Sequence, residues 1–426
     1  MELTSSIYDS QSDFETFGGG FGGDLEHGLV SGKGAHWKRN RSIITPAFSS
    51  GKLRQMVPCI QESCDTLLKT VRNAMKTTDN GQQMEINRLF GGFTMDVISS
   101  TAFGIHVESQ TNPDDLFVKH AKRMFDISFT KPWMLAILFF PTLKPLFVKL
   151  GACLFPLDSM AYFRKLTFQL LKERKSDKQV GRKDFLRLMV DAQEGRLELD
   201  PEDEFSREQS GISSKPTHLG LTSEEILGNV ELFFVAGYET TATALTMTAY
   251  NLATHPECQD KLRQEIQEKI GSDKVDFDNV KKLDYLDMCI NESMRLYPTA
   301  VRFDRTCVKT TKVKDITIPA GMVVSVPVHA IHHDPEVWVK PDVYNPERFS
   351  ATERAKHDPL DYIPFGYGPR QCVAMRLALM EAKMATVYML RNFRFCVGSK
   401  TEIPPTMEEK AIVKPVSLWL KLEEIK

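Results

Sequence analysis

From Trp37 onward, apolar residues recur close to every 3.6 positions in residues 51–76, 85–103, 113–130, 159–175 and 182–194. This period predicts a run of amphipathic helices. Between Phe129 and Phe155 lies a greasy stretch interrupted or closed by Pro132, Pro141, Pro145 and Pro156. Its longest apolar run, Trp133–Phe140, is too short to span a bilayer. Two readings remain open for it: a buried segment, or an apolar patch resting on a membrane or bordering a substrate entrance.

Residues 195–220 are polar and carry Pro201, Gly211, Pro216 and Gly220, the signature of a solvated linker. Thr222 with Glu225 then forms a capping box that opens a long apolar helix to about Thr254, ended by His255-Pro256. Further helices are predicted over 256–271 and 284–296, the latter stopped by Pro298. Residues 306–328 are rich in Val, Ile and Thr, with a turn at Pro319-Ala320-Gly321, and predict short strands. A last long helix runs from Val373 to Asn392, followed by strand-like pieces. The fold class is therefore mainly α with a small β part. The expected organisation is a loosely ordered tail over 1–16 and a single domain over 17–426.

Composition narrows the function classes. A chain of 426 residues with 42% hydrophobic side chains can bury a large core. The net charge of -2 excludes the strongly basic footprint of a nucleic-acid binder. Eight cysteines without a dense framework favour a reducing compartment. The first residues show neither a signal peptide nor a transmembrane anchor. The run Gly18–Gly23 has no strand pattern before it and no periodic helix directly after it, so a flexible loop is expected rather than a phosphate cradle.

The strongest chemical signal is Pro364-Phe365-Gly366-Tyr367-Gly368-Pro369-Arg370-Gln371-Cys372-Val373-Ala374. Two glycines and a proline make a tight loop, and Cys372 closes it just before a helix. Backbone N–H groups and the positive end of the helix dipole there favour a charged sulfur. Such shelter suits a thiolate bonded to iron, with Phe365 as a flat shield. Glu292 and Arg295 share one face of an otherwise apolar helix, and Arg348 in Asn345-Pro346-Glu347-Arg348-Phe349 can complete a buried network with them. Ala236-Gly237-Tyr238-Glu239-Thr240-Thr241 interrupts the long apolar helix with an acid and two alcohols, which suits Glu239 and Thr240 to proton delivery. Trp37 and Arg41, four apart, present an indole donor and a guanidinium that could clamp a cofactor's carboxylates. His329, His332 and His333 cluster in a segment read as strand leading to turn, but no cysteine pair accompanies them, so a zinc role is not expected.

Taken in chain order, Trp37–Arg41, the 236–241 helix segment, Glu292–Arg295, the Arg348 loop and the cysteine loop resemble the cytochrome P-450 family of haem-thiolate monooxygenases, over the chain from about residue 20 to its end. The surroundings Trp37-Lys38-Arg39-Asn40-Arg41, Ser50-Gly51-Lys52-Leu53 and Met56-Val57-Pro58 are similar to the microsomal clan that holds family 3, subfamily A and thromboxane synthase. The resemblance implies haem b with Cys372 as its iron ligand, and Trp37, Arg41, Arg305 and Arg370 around its propionates. It implies that Glu292, Arg295 and Arg348 lock the fold around the cysteine loop, and that Glu239 and Thr240 guide protons to dioxygen. The implied partners are a lipophilic substrate, dioxygen and an NADPH-dependent reductase, with peripheral membrane contact through 129–155. The implied location is the cytoplasmic face of the endoplasmic reticulum. By the family's layout, Phe21–Leu29, Phe129–Phe155, Phe233, Phe234, Ala236, Thr299–Phe303 and Ile412 wall the substrate pocket.

Two departures stand out. Ala374 replaces the family's usual glycine, adding a methyl where the helix nears the porphyrin. The family's membrane anchor, proline hinge, first helices and first strands are expected to be absent or replaced here. Three functions follow: a monooxygenase acting on an apolar small molecule such as a steroid, fatty acid or xenobiotic, an endoperoxide isomerase of the thromboxane synthase kind, or a non-catalytic haem-protein remnant.

Overall fold

The computed structural model describes residues 14–16, 23–77, 83–112, 114–125, 155–176, 184–194, 220–409 and 412–425, with isolated residues between 136 and 147. The helical periods become α1 (Gly34–Ile44), α2 (Ser50–Thr77), α3 (Ile86–Ile98), α4 (Leu116–Phe125), α5 (Leu157–Ser176) and α6 (Phe185–Gln193). They continue as α7 (Ser223–Thr254), α8 (Pro256–Lys269), α9 (Asp284–Leu296) and α10 (Met375–Asn392). The expected helix over 85–103 holds, but its last turn, Ser99–Phe103, is π-helical and ends on Gly104 at φ 64°. A side chain at Gly104 would run into the buried Arg174–Asp184 ion pair, which closes at 2.9 Å. The expected linker 195–220, except Gly220, and most of 129–155 lie outside the described residues.

The strands are short. One sheet pairs β1 (Phe14–Thr16) with β3 (Phe303–Cys307) and β3 with β6 (Val323–Val326), all antiparallel. A second places β10 (Trp419–Glu424) between β2 (Gln83–Glu85) and β7 (Phe393–Cys396). The hairpins β4–β5 (Thr311–Val313, Ile316–Ile318) and β8–β9 (Met407–Glu409, Val413–Pro415) complete the β part. Two sequence expectations change here. Residues 14–16 of the expected tail form a strand, and it does precede the glycine run. That run leads to a 3-10 turn, Gly23–His27, and not to an α-helix, so the geometry of a phosphate cradle is missing where it is described.

Helix α7 is the axis of the molecule. Its capping box forms as expected, with the Thr222 side chain accepting from the Glu225 N–H and the Glu225 carboxylate accepting from the Thr222 N–H. Phe234 on α7 packs against Phe117 of α4 and Phe163 of α5 at centroid distances of 5.4 and 5.0 Å, with Phe103 beside them. Such pairs contribute about 1 kcal/mol each beyond the area they bury. At Gly228 the helix meets the 23–29 segment backbone to backbone: an added Cβ would lie 2.8 Å from the Gly28 nitrogen. Leu29 N–H donates to the Asn229 side chain at 2.8 Å across the same contact.

The cysteine loop rests on a buried ionic knot. Arg295 donates twice to Glu292, at 2.8 and 2.9 Å, and both side chains are fully buried. Its remaining donors reach the carbonyls of His332 and Pro341, each at 2.7 Å. Glu292 also accepts from Arg348 at 3.2 Å and from the Asn345 N–H at 3.0 Å. Every charge is thereby answered, the condition under which a buried ion pair holds. The histidine segment is a short helix, Val328–His332, and not a strand. His332 is part of the frame, accepting from the Ile363 N–H at 3.0 Å at the start of the cysteine loop.

Candidate active site

The loop from Ile363 to Ala374 turns on Gly366 and Gly368, at φ 73° and 78°. Side chains other than glycine are strained there, so the two positions explain the loop's composition. Cys372 N–H donates to the Phe365 carbonyl at 2.9 Å, and Gln371 N–H to that of Gly368 at 2.9 Å. This folds Cys372 back to the N-terminus of α10. Burial pushes its thiol above the ordinary value, while the Ala374 N–H, the Arg41 charge and the Met375 N–H pull it down. The protein surrounds the cysteine, yet its surface is open, because it forms part of the wall of an internal cavity.

That cavity, about 340 Å3, lies between α7 and α10 and is bounded by Cys372, Phe365, Arg370, Arg305 and Thr240. The remaining walls are chiefly apolar. Phe233, Ala236, Thr299, Ala300 and Phe303 line it as expected from the family layout, whereas Phe234 is spent on the aromatic core. Leu25, Leu29 and Ile412 are not on its wall, and Phe21 lies outside the described residues. The structure adds Phe48 and Phe185, rings 4.5 Å apart, and Ile98, Ile290 and Met294. These looked like ordinary core positions, because a cavity wall and a core face share one periodicity.

Two arginines stand on the cavity wall, while Trp37 and Arg41 of α1 are buried behind it. Arg370 lies over the Trp37 indole at 4.3 Å and donates to the Gly32 carbonyl at 3.0 Å. Arg305 from β3 lies over Phe303 at 4.9 Å. Arg41 is buried, which lowers its pKa to about 10 with the Cys372 sulfur opposing that shift, and its Nε has no hydrogen-bond partner. A buried guanidinium with an unanswered donor is an acceptor site in waiting.

Glu239 and Thr240 are not brought together. Thr240 lines the cavity and donates to the Ala236 carbonyl at 2.5 Å. Glu239 points to the other side of α7, where Lys414 of β9 donates to it. Adjacent positions on a helix stand about 100° apart, so one mid-helix acid and alcohol face different compartments.

A model of the family "Cytochrome P450" matches residues 8–420. The chain is 38% identical over 394 residues to cytochrome P450 3A29 of Sus scrofa, covering 92% of this chain and 74% of that protein. It is 38% identical over 411 residues to cytochrome P450 3A2 of Rattus norvegicus, covering 96% and 77%. To cytochrome P450 3A5 of Homo sapiens it is 38% identical over 394 residues, covering 92% and 74%.

The chain belongs to the cytochrome P450 family. It is an oxidoreductase of the haem-iron monooxygenase kind, similar to 3A proteins over most of its length. The family implies a haem-thiolate group, and the residues of this P450 fit one. A thiol facing a cavity with two N–H donors behind it suits an iron ligand, and the unanswered Arg41 Nε suits an acidic edge. Ala374 lines the cavity with φ at -94°, a conformation any side chain adopts, so its methyl adds bulk but no backbone strain.

Proposed function

We propose that this P450 inserts one atom of dioxygen into an apolar small molecule of the steroid, fatty acid or xenobiotic class, using haem b. The reading rests on Cys372 at the head of α10, open to a largely apolar cavity. Haem, when bound, supplies dioxygen reduction at its iron. Cys372 would hold its iron, with the Ala374 and Met375 N–H groups limiting the sulfur's basicity and Phe365 covering the loop side. Trp37, Arg41, Arg305 and Arg370 hold the propionates. Phe48, Phe185, Phe233 and Phe303 orient the substrate and exclude water from it.

Glu239 is the proton-collecting group, reached from solvent beside Lys414, and Thr240 is the delivering group on the cavity wall. For Thr240 to donate into the cavity, its hydroxyl must leave the Ala236 carbonyl, a rotation that a bound acceptor would favour. A separate NADPH-dependent reductase supplies electrons at the cytoplasmic face of the endoplasmic reticulum. No helix among the described residues is long and apolar enough to cross a membrane. Phe139 and Phe140, 73% and 62% exposed, support peripheral contact through the 129–155 stretch.

The placement of Glu239 away from Thr240 favours a second reading, an endoperoxide isomerase, which has no need of proton delivery. Two measurements decide. A reduced carbon monoxide difference spectrum of thiolate type is expected, and Cys372→Ala should lose it; a variant that kept it would refute the ligand assignment. Turnover of a lipophilic substrate should require reductant, whereas turnover of an endoperoxide without reductant would favour the isomerase.

A further inference from the structure

Across α7 from Cys372 lies a second cavity of about 360 Å3, more polar than the first. Its walls include Arg88 from α3, Lys122 from α4 and Lys414 from β9, together with Asn87 and Tyr238. We propose that it is a binding site for a phosphate-bearing small molecule or headgroup, gripped by Arg88, Lys122 and Lys414.

Charge carries the argument. Three cations face two carboxylates on the wall, Glu85 and Glu239. Lys414 is engaged by Glu239, with Glu408 at 3.9 Å. Arg88 and Lys122 form no ion pair with any described residue. Burial and the nearby Arg88 charge lower the Lys122 pKa, against a smaller opposing pull from Asp114, so a further anion between the two cations would relieve their repulsion. The neutral donors point the same way. Asn87 accepts from the Leu418 N–H through its oxygen at 3.1 Å, which leaves its NH2 group to donate. Tyr238 adds its phenol to the same wall. Arginine offers a paired fork to phosphate oxygens and lysine a point charge, so this donor set suits a phosphate, whose several oxygens can each take a donor. The volume is at the small end for ligand pockets and leaves room for a short organic group on the ester.

The test uses the full haem-loaded chain at constant ionic strength, with thermal unfolding as readout. Inorganic phosphate and glycerol phosphate are the soluble probes. Phosphatidylcholine vesicles with and without phosphatidic acid test a headgroup source, and chloride controls for screening. A saturating phosphate probe should raise the Tm by about 2–4 °C. Arg88→Ala with Lys122→Ala should abolish that rise, while Arg88→Lys with Lys122→Arg should keep part of it. A response confined to phosphatidic acid vesicles, and lost in the double alanine variant, supports the site and assigns its ligand to lipid. A rise matched by chloride, retained in the double alanine variant, or absent with every probe overturns the proposal. None of these readouts depends on the reaction proposed above.

Discussion

The guanidinium of Arg370 stacks on the indole of Trp37 at 4.3 Å, joining the cysteine loop to α1. The stack fixes the direction in which Arg370 presents its donors. Trp37→Phe should keep a ring under the guanidinium and retain haem. Trp37→Ala should weaken haem retention about threefold to tenfold, the range of a partly buried cation–π contact. Haem transfer to a scavenger globin measures the difference.

Haem uptake should rise with pH. Burial holds the Cys372 thiol above its ordinary value in the chain without haem, and ligation requires the thiolate. Below that raised pKa, each pH unit should increase apparent affinity about tenfold, and above it the dependence should level off. Titration of the haem-free chain across pH 6 to 9 tests this, and a flat profile would contradict it.

Removing one member of the Glu292–Arg295–Arg348 knot leaves buried charges unanswered. Glu292→Ala should lower stability by about 3–5 kcal/mol. Denaturant unfolding should show the loss, and haem should dissociate within the same transition, because His332, held beside Arg295, also receives the Ile363 N–H at the start of the loop.

Ala374→Gly should be tolerated and should tighten haem binding by no more than about tenfold, the effect of relieving one crowded methyl. A decrease would show that the methyl fills space that glycine leaves empty.

Glu231 of α7 is buried with neither carboxylate oxygen hydrogen-bonded, and burial followed by the Asp24 charge raises its pKa to about 8. The folded chain therefore holds a proton that the unfolded chain releases near pH 4.5. Stability from this group is full below pH 4.5 and is lost as pH rises toward 8, by roughly 3 kcal/mol at pH 7. Glu231→Gln should flatten that slope in a plot of Tm against pH.

Much of this was legible in residue order, for reasons that differ by element. The capping box at Thr222 and the apolar period of 284–296 are local signals, and helices α7 and α9 follow them closely. Glu292, Arg295 and Arg348 could be grouped because an i, i+3 pair in an apolar helix needs partners. Glu239 was harder. Its neighbour Thr240 suggested joint action, but its side chain follows Lys414, a residue 175 positions away. The strand Phe14–Thr16 has almost no pattern of its own, since its pairing is dictated by β3 nearly three hundred residues later.

The contact of Gly28 with Gly228 is made by main chain alone, with Asn229 adding a bond to the Leu29 N–H. The exposed Glu26 and His27 can therefore change in size or polarity while the segment, held also by buried Asp24, Leu25 and Leu29, keeps its seat on α7. This separates where the segment lies from what it displays, and it lets related enzymes diversify that surface without reshaping the scaffold beneath it.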